Sequence, residues 1–489
     1  MNKSESAVFA ERELPLVSAL KTGRNRHSFH MPGNRAGQAF SAEFRSLLAC
    51  LDTTELAATG DINEPAGIVL RALELAARTF SSAQTYFITC GSTTSLRIAL
   101  AAAFKAGDRV LMGKGSHLSV ANSCALLGLE AVLIKQDTLP RFADGQMKEA
   151  EVLRSLKEEK NLAGVLLMTP GYYGENLPLE KICQAAHARG IPVIVDSAHG
   201  AHFAIKVSGK SPGEKNWPRT ALSQGADLVA QSAHKTLPAL TPASMLHLSQ
   251  AAIDSGRVSP ARLAKMLPVF QTSSPSFPIA ASLDYARDFI DHDAAAYVSR
   301  LLDLLEEFVA QLPSELSREY ISGDDPCRLV LDYSASNCSR QKVFEILDAH
   351  RVDVELIDAR CMVCIPPLDT PRESFIALGQ ACAEIARSGQ SEHSQVKIDL
   401  AQRQAFLRQS RTSLTLRDSF SAESEALDFQ NALGRQSAGV IAPYPPGMPL
   451  LWPGEEIKAA DIALWQDLLD LAYDIRGIKS GKIGVLTDK

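Results

Sequence analysis

From about Thr85 the chain repeats one pattern: a short, uniformly apolar run, a polar loop, then a stretch with helical spacing of apolar residues. TYFIT precedes CGSTTS and the helix LRIALAAAF. DRVLM precedes a polar loop and the helix SVANSCALLG. AVLI follows, then a helix near Lys148 to Glu159, the strand GVLLM and the loop TPGYYGENLP. LEKICQAAHARG leads to IPVIVD, and ADLVAQSA and SMLHLSQ close the series. Apolar runs without alternation, separated by helices, predict an α/β fold whose mostly parallel sheet is covered on both faces.

The pattern changes on either side of this core. Residues 1–60 read as a short amphipathic helix and a loop, SFHMPGNRAGQ, punctuated by Pro32, Gly33 and Gly37. Residues 61–310 form the large domain and end in SLDYARDFIDHDAAAYVSRLLDLLEEFVAQL, read as one long connecting helix. Residues 311–410 carry a smaller βαβα pattern: RLVLDYS, QKVFEILDAHR, VELIDARCMVCI as one strand, and RESFIALGQACAEIARSG. Residues 411–489 form a last unit containing APYPPGMPLLWPGEEI, where five prolines in eleven residues make a rigid, non-helical stretch.

Composition narrows the partners. The 489 residues are 46% hydrophobic and 22% charged, as in an ordinary globular protein, and the net charge of −6 argues against a nucleic-acid footprint. No secretory leader and no apolar run long enough to span a bilayer are evident, so a cytoplasmic location is expected, with no membrane partner. Nine scattered cysteines fit reduced thiols; the Cys361/Cys364 pair reads as core packing rather than a metal or redox site.

Two charged residues stand at the ends of apolar runs. Lys235 follows LVAQ in the turn Ser232-Ala233-His234-Lys235, and Asp196 follows IPVIV. Burial disfavours the charged form of an amine, and a partly neutral lysine attacks an aldehyde and holds it as a Schiff base. A buried carboxylate needs a cationic partner; a pyridinium at close range supplies roughly 4 kcal/mol at an effective dielectric near 20. Together the pair suits pyridoxal 5'-phosphate (PLP): the aspartate keeps the ring nitrogen protonated and the lysine carries the cofactor. CGSTTS, between a strand and a helix, offers Ser92, Thr93, Thr94 and helix N–H groups to a phosphate. His117, in KGSHLSV, stands at the sheet's carboxyl edge and is suited to stack on a flat ring. Ala198 is small enough for a ring to lie against it. His199, His202 and His234 lack a metal-ligand frame, so no metal is expected.

With these residues placed, the chain resembles the short form of the ornithine/lysine/arginine decarboxylase family, fold-type-I PLP enzymes. FHMPGNRAG, DTTELAATGDINEPAG, TPGYYG, DSAHGAHF, GADLVAQSAHKTLPALT, QTSSPSF and PYPPGMPLLWPGE carry the resemblance over nearly the whole length. It implies decarboxylation of a basic amino acid (arginine, lysine or ornithine) to a polyamine-pathway amine. Lys235 then holds PLP, Asp196 pairs with the ring nitrogen, and His117 stacks, with Ala198 on the opposite face. Ser92, Thr93, Ser232 and His234 cradle the phosphate, and His199 sits near the phenolic oxygen. Active sites at an interface are also implied, in a homodimer or higher even oligomer, with Ser273 in QTSSPSF reaching the neighbour's phosphate. Glu455 in WPGEE is the candidate for binding the substrate's cationic end. Three segments depart from the family pattern: Pro32-Gly33-Asn34-Arg35, Thr59-Gly60-Asp61-Ile62-Asn63 and Lys114-Gly115-Ser116-His117-Leu118-Ser119. The preferred amino acid is therefore left open. Two other readings remain: a transaminase or lyase using Arg417 as carboxylate clamp, and a non-catalytic regulatory paralogue.

Overall fold

The structure, a computed structural model, describes residues 15–22, 26–207, 217–321, 323–389, 394–408, 415–444 and 447–487. The first strand, β1 (His27–Phe29), lies outside the main sheet. That sheet comprises β2 (Gln84–Ile88), β3 (Arg109–Met112), β4 (Glu130–Leu133), β5 (Leu162–Met168), β6 (Val193–Asp196), β7 (Leu228–Gln231) and β8 (Ser244–Leu248). Their order is β2-β8-β7-β6-β5-β3-β4. β8 runs antiparallel to both neighbours, and the remaining ladders are parallel.

Alternation explains the uniform apolarity. In β6, Val193 and Val195 pack into one cluster while Ile194 packs into the cluster on the opposite face. Each fully buried side chain of this size contributes roughly 1.5–3 kcal/mol. Met168, Asp196 and Ala230 are in register across β5, β6 and β7. The carboxyl ends of three central strands therefore open onto one place, the usual ligand edge of an open α/β sheet.

Two expectations change. The long connecting helix is two helices, Phe277–His292 and Ala294–Ala310, broken at Asp293, whose short acidic side chain favours helix ends over interiors. The supposed single strand VELIDARCMVCI is also divided. In the four-stranded antiparallel sheet of β9 (Ser317–Arg318), β10 (Leu329–Asp332), β12 and β13, the latter two (Leu356–Ile357 and Cys361–Cys364) form a hairpin. Asp358 makes the turn, accepting the N–H groups of Arg360, at 2.7 Å, and Cys361. The neighbouring β11 (Val352–Val354) pairs in parallel with β1, so the N-terminal loop is stitched to the smaller domain. Cys361 and Cys364 are buried in β13, and all nine cysteines are free. Among the described residues no helix is long and apolar enough to cross a membrane.

Candidate active site

The carboxyl ends of β5, β6 and β7 border a cavity of about 370 Å³. Ser92, Thr93, His117, Asp196, Ala198, His199, Ser232, His234 and Lys235 all line it. Local structure explains their placement. Gly91, at φ +83, turns the chain from β2 into the helix Ser92–Ala103, whose first turn faces the cavity. Ser232 donates to Ser92 Oγ at 2.7 Å, so the two hydroxyls converge from different elements. His117 is the N-cap of Leu118–Leu127: its Nδ1 accepts the Ser119 N–H at 3.2 Å, which leaves Nε2 to carry the proton of the neutral ring.

Burial sets the charge states. Lys235 is half-buried, its amine 3.0 Å from His199 Nε2; desolvation lowers its pKa, with Arg328 adding to the fall while Asp196 and Glu355 oppose it. Desolvation raises Asp196, against the pull of Lys235 and the Ala198 N–H, 3.2 Å from Oδ1. His117 falls to about 4 through burial and Lys235, and His234 to about 4 through burial, despite its 2.8 Å bond to the Ala243 carbonyl. His199 is held well below its usual range, by burial first and the surrounding cations second. The imidazoles are thus neutral rings at physiological pH.

Four residues named from sequence lie elsewhere. Glu455 does not reach this cavity. It is buried, Oε2 accepting the Trp452 N–H at 2.7 Å and Oε1 lying 3.4 Å from Lys114 Nζ, so it closes its own WPGE turn and compensates a buried lysine. Two segments treated separately in the sequence, KGSH and WPGE, are partners; Trp452 Nε1 also donates to the Lys114 carbonyl. Replacing Glu455 with glutamine strands a buried ammonium, and breaking such pairs costs about 3–5 kcal/mol. Thermal unfolding of Glu455→Gln is expected at distinctly lower temperature, with KM for substrate unchanged. Thr94 turns its hydroxyl back onto the Cys90 carbonyl, 3.2 Å, and does not line the cavity. Ser273 is exposed and outside this chain's own cavity. Arg417 donates to the Ala125 and Leu126 carbonyls at the end of Leu118–Leu127, so no carboxylate clamp comes from it.

Two residues were missed. Glu355, just beyond β11, enters the cavity from the smaller domain; one oxygen accepts the Met31 N–H at 3.0 Å and the other accepts the Tyr172 hydroxyl. Tyr172, from the TPGYYG loop, sets its ring edge-on to His199 at 5.1 Å. The motif was visible in the sequence, but the partner of its hydroxyl was not. His202, Asp325 and Cys327 also gather nearby. Asp325 accepts from His202 Nε2 at 3.0 Å and from the Cys327 N–H at 2.9 Å, and the Arg328 guanidinium lies against it, 3.8 Å away. This group is a hydrogen-bonded brace with an arginine already beside it.

The departing segments serve as supports. Gly33 N–H donates to the His234 carbonyl at 2.8 Å, and a Cβ at Gly33 would sit 2.8 Å from the Leu237 oxygen, so this turn must be glycine to lie on the Lys235 loop. Asn34 donates to the Ala239 carbonyl at 2.8 Å. Asn63 donates to the Thr272 carbonyl at 2.9 Å and accepts from Gln271 at 2.8 Å, fastening the QTSSPSF segment.

Comparison with known proteins gives this site its context. A family model described as Orn/Lys/Arg decarboxylase, major domain, matches residues 14–327, and the C-terminal domain of the same family matches residues 401–475. The chain belongs to the Orn/Lys/Arg decarboxylase family. It is similar to the Bacillus subtilis protein YaaO, described as uncharacterized, at 33% identity over 95% of this chain and 96% of the relative. The arginine decarboxylase of Bacillus anthracis is 26% identical over 96% and 95% of the two chains. Among solved structures, the Escherichia coli constitutive lysine decarboxylase superposes with TM-score 0.71 at 18% identity, covering 97% of this chain and 82% of that one. The Pseudomonas fluorescens L-threonine transaldolase gives 0.56 at 14% identity, covering 83% and 93%. These neighbours share the fold-type-I architecture. The chain is a PLP-dependent carboxy-lyase.

Proposed function

We propose that the protein decarboxylates a basic amino acid, with Lys235 as the cofactor lysine and Glu355 as the carboxylate that reads the substrate's cationic side chain. The observation that carries this reading is the convergence of Lys235, Asp196 and Glu355 on one cavity, with neutral imidazoles around them. The donor set fits the cofactor: Ser92, Thr93 and Ser232 hydroxyls at a helix N-terminus suit a phosphate, and a buried aspartate at the end of an apolar strand suits a ring cation.

PLP supplies an aldehyde for Lys235 and a protonated ring that takes up the electron pair left when carbon dioxide departs. The protein's share follows from its residues. Asp196 holds the proton on the ring nitrogen. His117, neutral and fixed by Ser119, offers a flat face, and Ala198 leaves room opposite. Ser92, Thr93 and Ser232 would donate to the phosphate, whereas His234, neutral with its Nδ1–H committed to the Ala243 carbonyl, has only an acceptor nitrogen left and supports the turn rather than the anion. Lys235 would hold the cofactor, and its amine, once free, would be placed to return a proton to the substrate's Cα. Among the described residues no arginine lines the cavity to grip the reacting carboxylate, which favours its loss, since a salt bridge there would stabilise the ground state more than the transition state.

Arginine is the first substrate to test, because relatives named arginine decarboxylase match this chain over 91–96% of its length. The product is then a polyamine precursor. Nine free thiols fit a reducing cytoplasm. Ser273, exposed on a segment pinned by Asn63 and Gln271, suits contact with a second copy in a dimer.

Glu355→Gln tests the side-chain reading. Loss of a charge-assisted contact worth about 1.5–3 kcal/mol raises KM for the basic amino acid by roughly 10- to 100-fold, while the visible absorbance of bound PLP is unchanged. An unaltered KM removes Glu355 from substrate recognition.

A further inference from the structure

His199 is buried between two side chains that are normally cationic. Its Nε2 lies 3.0 Å from Lys235 Nζ, and its Nδ1 lies 3.4 Å from Arg328 Nη2. Arginine has five N–H donors and no acceptor, and it does not deprotonate in proteins. The lone pair of a neutral imidazole must therefore sit at Nδ1, facing Arg328, and the ring proton must sit at Nε2, facing the lysine. An Nε2–H at 3.0 Å needs a lone pair opposite it, which an uncharged amine has and an ammonium lacks. An ammonium donating to Nε2 would move the ring proton to Nδ1 and set two donors against each other in a buried place, an arrangement costing the desolvation of an unmade bond.

We propose that Arg328 is a positioning residue that fixes the Nε2–H tautomer of His199, and that this tautomer holds the Lys235 amine uncharged and ready to capture an aldehyde. In that capture the amine nitrogen adds to the aldehyde carbon and water leaves as the C=N bond forms, so the lone pair presented to His199 is the pair that reacts. The inference rests on Lys235 being the cofactor lysine.

Arg328 is built in rigidly. It is 2% exposed, and Gly174, at φ +93, leaves the space its side chain fills: a Cβ there would lie 2.9 Å from Arg328 Cβ and Cγ. Asp325, 3.8 Å from Arg328 Nε, is itself held by His202, the Cys327 N–H and its own N–H on the Gly174 carbonyl at 2.8 Å. The smaller domain thus reaches His199 through the Arg328 guanidinium, beside the Glu355 carboxylate that it also sends into the cavity. The groups facing this centre are few and known. Asp196 and Glu355 favour the ammonium, Arg328 opposes it, and His117, His234 and Tyr172 border it as neutral groups.

The test uses full-length apoprotein and added PLP. The rate at which the visible band of bound cofactor grows is followed against pH for wild type, Arg328→Met and Arg328→Lys. The capture midpoint should move up by about one pH unit or more in Arg328→Met, about a tenfold slower capture at neutral pH, and stay near wild type in Arg328→Lys, which retains a cationic donor. A purely structural role for Arg328 would lower thermal stability and leave the midpoint in place; that result overturns the proposal. Nitrogen-15 spectra of histidine-labelled wild-type apoprotein, with His199 assigned by His199→Asn, read the tautomer directly even if the methionine variant fails to fold. Protonated Nε2 supports the proposal and protonated Nδ1 overturns it. Failure of wild type to capture PLP at all would instead sink the assignment of Lys235.

Discussion

Lys235→Ala is expected to lower carbon dioxide release by roughly 10⁴-fold or more, the upper range for removing a positioned proton-transfer group that is also the covalent anchor. The fold should survive, because the lysine's charge is a burden where it sits: burial lowers its pKa, and its amine contacts one imidazole, His199. Alanine removes a half-buried amine from a turn whose backbone is fixed independently, by the Gly33 N–H on the His234 carbonyl and the Leu237 N–H on the Ala233 carbonyl. Circular dichroism and thermal unfolding near wild type, together with loss of the visible cofactor band, are the outcome that separates a lost anchor from a lost fold. A variant that keeps its band and its turnover would show that another amine carries the cofactor.

Asp196→Asn should retain cofactor but turn over about 10³-fold more slowly. A unit charge pair at close range is worth roughly 4 kcal/mol at an effective dielectric of 20, and each 1.36 kcal/mol is a decade in rate. Asparagine keeps the volume and can still accept the Ala198 N–H, so β6 and its register with Met168 and Ala230 are undisturbed. What it removes is the anion that keeps a ring proton in place. Single-turnover carbon dioxide release, measured at saturating PLP, isolates this step from cofactor affinity. Equal rates in the two proteins would mean that Asp196 does not face the ring nitrogen.

The two charged residues of this site were legible in the sequence for one physical cause. Strands buried on both faces must be apolar throughout, so a charge at the end of such a run stands out, as Asp196 does after Val195 and Lys235 does after the β7 run. The CGSTTS turn was legible because a glycine and hydroxyl cluster marks the start of a helix. Glu355 was not, because VELIDARCMVCI reads as one strand and the role of Glu355 depends on meeting Tyr172, 183 residues away. Glu455 misled for the same reason: WPGEE gives no sign of Lys114, 341 residues earlier, which claims the carboxylate. Thr94 shows the limit of counting hydroxyls, since at a helix start one of them turns back onto a carbonyl of the preceding turn. β1 joining the smaller domain is likewise a pairing between distant segments, which local pattern does not encode.

The most direct measurement is release of carboxyl-labelled carbon dioxide by the purified PLP-loaded protein from arginine, lysine and ornithine, each assayed separately with quantification of the amine. Labelled gas and amine are expected in equal amounts from at least one of the three, abolished by Lys235→Ala and weakened through KM by Glu355→Gln. Label retained on the product with all three substrates, or the appearance of a keto acid in place of amine, would contradict the proposed decarboxylation.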